Sequence, residues 1–317
     1  MTAHQRPREE EAAKSAGEEP VARGPHYFVQ RRWGLLLGIA FLAVIGFSFL
    51  FFQQTIVTTG QTWFQDYGTE FLIFLAGGFV AQMIDGALGM AYGVSANTFL
   101  MSFGVPPAAA SASVHTSEIF SSGASGLAHL RFQNVNKKLF RTLALPGAIG
   151  AALGAYILSS FEEYNYMIKP VVAAYTLVLG IIIVRKAFAA QKAKQKTKNV
   201  GPLAAFGGFM DSIGGGGWGP IVASTLIAKG RHPRYTIGSV NLAEFFVSLA
   251  SSVTFFVTLG SSTYIHVIVA LVLGGVIAAP IAARLTQKLP VKKLMVVVGV
   301  VIILVSLRLL AKAIGII

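Results

Sequence analysis

The sequence predicts an all-α integral membrane protein built from two inverted repeats. Each repeat is a re-entrant or broken-helix hairpin followed by three transmembrane helices, and one additional transmembrane helix precedes them. Three observations predict this. The 317-residue chain is 54% hydrophobic and only 12% charged, and its apolar residues form long runs of the roughly 20 residues that a membrane helix needs. Basic residues cluster in the short stretches between those runs. A polar motif at 113–120 returns at 239–246, an offset of 126 residues.

The charge balance excludes other classes. A soluble domain carries roughly 25% charged residues, about twice what is present here. The net charge of +13 would suggest a polyanion partner in a soluble chain. Here the cations lie between apolar spans, as in cytoplasmic loops, so no nucleic-acid partner is expected. The absence of cysteine excludes disulfides, thiol catalysis and cysteine metal sites.

Residues 1–30 are polar, with the run Glu9-Glu10-Glu11 and scattered Pro and Gly, and read as a disordered cytoplasmic tail. Residues 31–53 open with Arg31-Arg32 and continue into an apolar run over 33–52. No convincing small-residue cleavage site follows, so this reads as a retained helix with a cytoplasmic N-terminus. The first repeat, 71–188, has apolar segments at 71–103, 109–130, 139–159 and 167–184. A basic cytoplasmic linker at 189–199 follows. The second repeat, 200–317, has apolar segments at 200–228, 236–260, 263–284 and 292–314.

Loop charges orient these segments. Four basic stretches should be cytoplasmic, around Lys137-Lys138, Lys192–Lys198, Arg231 and Lys292-Lys293. The stretches with Asp66 and Glu70, with Glu162-Glu163, and the uncharged one near 260–263 should face outside. Segment 71–103 then has outside loops at both ends, and 200–228 has cytoplasmic loops at both ends. Each is long and interrupted by glycine, and each reads as a hairpin of two short half-helices. Such backbone at membrane depth is tolerated only when it is buried in protein or lines a cavity. Seven full spans and two hairpins result. Arg308 and Lys312 lie near the outer end of the last span, against the charge rule, and read as snorkelling cations.

The repeat extends to the candidate site. Ser113-Val114-His115-Thr116-Ser117-Glu118-Ile119-Phe120 corresponds to Ser239-Val240-Asn241-Leu242-Ala243-Glu244-Phe245-Phe246, and Ser122 and Ser125 correspond to Ser248 and Ser251. Positions 115, 118, 122 and 125 share one helix face, so each half presents a polar stripe on an apolar helix. Three spans per repeat invert the second half relative to the first. Inverted repeats with broken helices are the build of many secondary transporters, whose substrate site lies near the midplane between the repeats.

Glu118 and Glu244 are the most telling residues. A charge at mid-bilayer costs about 2.5–3.5 kcal/mol even on mild insertion scales, so such residues face a bundle interior or a wet cavity. Burial disfavours the charged form of an acid, which makes both candidates for proton coupling as well as substrate contact. The competing reading is structural, a neutral or hydrogen-bonded link between helices. His115 and Asn241, one turn earlier, offer donors to the same cavity, and Thr116 is a further candidate contact. Gly86, Gly89, Gly214, Gly215, Gly216 and Gly217 fall at the expected hairpin tips. There, half-helix N-termini and exposed backbone N–H groups could hold an anion without a formal cation. Gly150 and Gly154 read instead as close helix packing. Asp85 and Asp211 flank the tips and read as hydrogen-bonded caps.

These residues resemble the TauE/SafE family, the sulfite exporter or toluene-sulfonate-uptake type. The resemblance is carried by Gly77-Gly78-Phe79, then Ile84-Asp85-Gly86-Ala87-Leu88-Gly89-Met90, then Gly104-Val105-Pro106-Pro107 before an Ala/Ser-rich helix. In the second half it is carried by Gly207-Gly208-Phe209-Met210-Asp211-Ser212-Ile213 and Gly214-Gly215-Gly216-Gly217-Trp218-Gly219-Pro220. It covers about 71–314. Leu88 and Met90-Ala91 interrupt the glycine triplet of the first motif. The resemblance implies transport of small sulfur-containing anions, sulfite or sulfonates, across the bacterial cytoplasmic membrane.

The expected function is a secondary transporter for such an anion, with proton coupling through Glu118 and Glu244. The alternative is a cation or divalent-metal carrier using the same glutamates and His115. No Walker-type phosphate loop and no nucleophile–base set is present, so neither ATP drive nor an enzyme is expected. The partners are the anion and the lipid bilayer. No cofactor or resident metal is expected, and oligomeric state stays open.

Overall fold

The computed structural model describes residues 67–85, 90–188, 199–260, 264–285 and 291–316. The expected tail 1–30, the added helix 31–53 and most of the linker 189–199 lie outside the described residues. So do Gly86 and Gly89.

The described residues are helical throughout, with short turns and no strand. Helix α1 is Tyr67–Asp85 and α2 is Tyr92–Ser102. They are followed by α3, Pro107–Arg131, α4, Lys137–Ser160, and α5, Asn165–Ala187. The second set is α6, Val200–Gly214, α7, Trp218–Ala228, α8, Pro233–Leu259, α9, Ile265–Leu285, and α10, Val291–Ala313.

Local sequence sets these bounds. Pro107 and Pro233 occupy the first helical position of α3 and α8, where the missing N–H costs nothing and the fixed φ favours a helix. Asn136 caps α4 by accepting from the Leu139 N–H at 3.0 Å. Helix α6 ends at Gly215, which takes φ +61, a left-handed conformation that glycine adopts without steric cost.

Five helices are long and apolar enough to cross a membrane: Tyr67–Asp85, Lys137–Ser160, Glu162–Ala187, Pro233–Leu259 and Lys292–Ala313. In the last of these only 28% of the apolar window is buried inside the protein. Val297, Val301 and Leu304 point outward, as a lipid-facing surface requires. Helix α3 is as long but carries Ser111, His115, Ser117, Glu118 and Ser122, all buried. Its polarity faces inward, because lipid could not satisfy those groups.

The first hairpin corrects one expectation. Its first arm is no short half-helix: α1 has 19 residues and is by length and composition able to cross a membrane. The helix runs on through 67–70, a stretch expected to be loop. Glu70 there lies 3.5 Å from His266 Nε2 at the start of α9. The polar end of α1 is thus tied to a neighbour and keeps its helical turn.

Helix packing runs between the halves. Helix α3 lies along α8, α5 along α10, and α4 along both α6 and α8. Glycines set the closest approaches. A Cβ at Gly150 or Gly154 of α4 would collide with the backbone of Ala205 or Phe209 in α6. A Cβ at Gly274 of α9 would collide with the backbone of Leu75 in α1. Gly180 and Gly299 face each other's carbonyls across α5 and α10, and Thr176 and Ser306 share a 2.9 Å hydrogen bond beside them. Interhelical hydrogen bonds in membranes contribute only about 0.6 kcal/mol each. Close backbone approach through small residues therefore carries this association.

Candidate functional site

The helix breaks between α1 and α2 and between α6 and α7 are built alike. Asp85 Oδ1 accepts from the N–H groups of Ala91 at 2.9 Å and Tyr92 at 3.1 Å. Asp211 Oδ1 accepts from the Trp218 N–H at 2.8 Å. Each aspartate therefore spans its break and satisfies a first-turn donor that the helix itself leaves unpaired.

The two breaks cross each other. A Cβ on Gly93 would lie 2.8 Å from Glu118 Oε1 and 2.9 Å from Gly216 Cα. A Cβ on Gly219 would lie 2.8 Å from Met90 Cα. A Cβ on Gly216 would run into the backbone of Gly93 and Val94. Asn97 Nδ2 donates to the Gly214 carbonyl at 2.6 Å, and Tyr175 Oη donates to the Gly216 carbonyl at 3.2 Å. These bonds pair carbonyls that the end of α6 leaves free.

Behind the crossing lies a buried polar cluster. His115 Nδ1 is 3.0 Å from Glu118 Oε2 and 3.8 Å from Asp211 Oδ2. Its Nε2 is 3.3 Å from the Asp211 carbonyl. Ser248, from the other half, donates to Glu118 Oε2 at 3.2 Å. Asp211 Oδ2 is buried and makes no hydrogen bond among the described residues. The ligand atoms of His115, Glu118 and Asp211 all lie within 4.8 Å of one another, a set able to hold a cation.

A cavity of about 630 Å³ opens in front of this cluster. Its lining includes four carboxylic side chains, Asp85, Glu118, Asp211 and Glu244, and no Lys or Arg among the described residues. Glu118 and Glu244 thus meet at one cavity from different halves. Their environments differ. Glu118 is 4% exposed and held by His115 and Ser248, while the partly buried Glu244 carboxyl has no hydrogen-bond partner among the described residues. Asn241 also lines the cavity and donates to Ser125 at 3.0 Å.

The remaining expected site residues divide. Gly216 and Gly217 line the cavity. Gly214 and Gly215 do not; they form the end of α6, packed against Tyr175 and Asn97. His115 is fully buried and meets the cavity through Glu118 and Asp211, the two lining residues it contacts. Thr116 sits off the polar stripe, donates to its own helix at Ala112 at 2.7 Å, and is absent from the lining. Its neighbour Ser117 lines the cavity instead and bonds Tyr92 Oη at 2.9 Å. Sequence reasoning missed Tyr92, Gly93 and Asn97. The signal for two of them is present, since Tyr92 and Gly93 stand 126 residues before Trp218 and Gly219.

Comparison with known proteins bears on the whole bundle. The model of the family "Sulfite exporter TauE/SafE" matches residues 74–309. The "Probable membrane transporter protein YtnM" of Bacillus subtilis (strain 168) is 40% identical over 248 residues, which cover 75% of this chain and 82% of that protein. No solved structure matches the chain.

Proposed function

This chain belongs to the TauE/SafE sulfite exporter family, and on that premise we propose that it is a secondary transporter that carries a small sulfur-containing anion together with protons through the four-carboxyl cavity. Membership makes it a multi-pass membrane transporter. The anion, the proton coupling and the placement in the cell membrane with a cytoplasmic N-terminus are our reading.

The observation that carries this reading is the meeting of Glu118 and Glu244, one from each half, at a cavity lined by the crossing helix breaks. The first turn of α2 enters that lining at Gly93. Helix N-termini offer backbone donors and a positive dipole end to an anion. Four ionised carboxyls around the same space would repel it. Anion binding therefore requires that carboxyls take up protons, and Glu244, facing the cavity without a hydrogen-bond partner among the described residues, is the group most free to do so. Glu118 passes charge changes to His115 behind it, which also contacts Asp211.

The inverted repeat belongs to this proposal. What supports it is reciprocity of contact. Gly93 approaches Gly216, and Gly219 approaches Met90; each member of the second pair is offset by 126 residues from a member of the first. An in-plane two-fold axis exchanges such pairs and puts the cavity at the midplane.

A second reading is favoured by one observation. His115, Glu118 and Asp211 form a compact set of cation ligands, so a cation carrier would use the same cavity. Flux of radiolabelled sulfite into proteoliposomes, competed by sulfonates and by divalent metals, separates the two. Uptake blocked by sulfonates supports the anion reading. Metal uptake without sulfite flux replaces it with the cation reading.

A further inference from the structure

A second pocket, of about 330 Å³, lies at the other end of the bundle from the mouth of the main cavity. It is bounded by the end of α2 at Gly104, the start of α5 and the last turns of α10. The main cavity extends to Ala128 and His129 near the end of α3, and α3 rises about 33 Å between Pro107 and His129. The two spaces are therefore distinct.

Three cations line this second pocket, Lys169 of α5 with Arg308 and Lys312 of α10, and among the described residues no acid does. Lys169 is half-buried and the other two are exposed. Among the described residues none of the three has an ion-pair or hydrogen-bond partner. Arg308 and Lys312 are one turn apart on one helix face, and Lys169 comes to them from a helix that the sequence places in the other half. Met101, Phe103, Val305 and Leu309 form the pocket's apolar floor, in which Phe103 is 54% exposed. Loop charges put this end outside, where Lys and Arg are disfavoured near helix ends. Three cations retained there against that rule, with no partner among the described residues, call for a ligand.

We propose that this pocket binds the phosphate headgroup of an anionic phospholipid. A cationic rim over an apolar floor matches an amphiphile: the phosphate meets the three cations, and the first part of an acyl chain covers the exposed ring of Phe103. A free oxyanion would use the rim and gain nothing from the floor. The site ties α2, the second arm of the first hairpin, to α5 and α10 through a lipid.

The test uses the purified full chain in detergent and follows its thermal melting. Phosphatidylglycerol micelles should raise the melting temperature by several degrees over phosphatidylcholine micelles. The variant Lys169→Gln/Arg308→Gln/Lys312→Gln should melt as wild type in phosphatidylcholine and lose the phosphatidylglycerol gain. Lys169→Arg/Lys312→Arg should keep it. Lys137→Gln/Lys138→Gln, which removes exposed cations outside the pocket, should keep it as well. Retention of the gain by the triple variant, or its loss in the Lys137/Lys138 variant, overturns the site. A full gain from inorganic phosphate alone, lost in the triple variant, overturns the lipid assignment in favour of a free-oxyanion site.

Discussion

Asp85 and Asp211 do the same work 126 residues apart: each closes a break in a membrane helix by accepting a backbone N–H, from Tyr92 at 3.1 Å and from Trp218 at 2.8 Å. Both carboxyls also line the main cavity. Their first duty is to the fold, and this sets the expected result of changing them. Asp85→Asn and Asp211→Asn keep an acceptor oxygen and should melt close to wild type. Asp85→Ala and Asp211→Ala lose the cap and should be destabilised by about 0.5–2 kcal/mol. Thermal melting in detergent measures this. Alanine variants as stable as the asparagine variants would show that the caps contribute nothing.

The pH dependence of anion binding should follow the glutamates. An ionised Glu244 or Glu118 repels an anion in the cavity, and protonation removes that repulsion. Affinity in wild type should therefore rise as pH falls from about 8 to about 5. Relief of 1.4 kcal/mol corresponds to about tenfold, and a change of at least that order is expected. Glu244→Gln should bind at high pH as tightly as wild type at low pH, with a flattened profile. Glu118→Gln should flatten it in part, because His115 and Asp211 stay behind it. Calorimetric titration with sulfite across this range decides the matter. Profiles in both variants that match wild type would leave the glutamates as structural links.

Gly216→Val should stop transport and lower stability. Its side chain would enter the backbone of Gly93 and Val94, and overpacking of this kind costs about 1–3 kcal/mol. Gly201→Ala is the control, since the nearest atom to its Cβ is Pro146 Cγ at 3.8 Å, an ordinary contact. Proteoliposome flux and melting should separate the two variants. Normal flux through Gly216→Val would mean that the breaks do not have to cross closely.

The sidedness of the hairpins can be read by labelling, because the chain has no cysteine. Phe103→Cys lies at the end of α2 and His232→Cys just before α8, both at exposed positions. A membrane-impermeant thiol reagent applied to intact cells should label the first and spare the second. The reverse pattern would invert the bundle and place the lysine–arginine pocket on the cytoplasmic face.

The sequence by itself determined the class and the outline of the fold. Apolar runs of spanning length, basic loops and a 126-residue recurrence need no tertiary information, because the bilayer imposes helices and their length locally. The recurrence also marked Glu118, Asn241 and Glu244, since an acid on an apolar helix is costly wherever the chain folds. Local rules reached the caps too: Asp85 and Asp211 beside glycine breaks read as hydrogen-bonded ends.

Only the tertiary structure decided which of these groups share a space. Thr116 and Ser117 are neighbours in sequence, yet the turn of α3 gives the cavity to Ser117 and sends Thr116 back to Ala112. The four glycines 214–217 look equivalent in sequence. In the fold the first two end α6, while Gly216 and Gly217 come to the cavity. Glu118 and Glu244 stand 126 residues apart in matching sequence contexts, yet Ser248 and His115 hold one while the other has no hydrogen-bond partner among the described residues. Lys169 lies far in sequence from Arg308 and Lys312 and meets them only because α5 packs along α10. Residue type and spacing set what each side chain can do. Contacts between helices distant in the chain set what it does, and no local pattern encodes them.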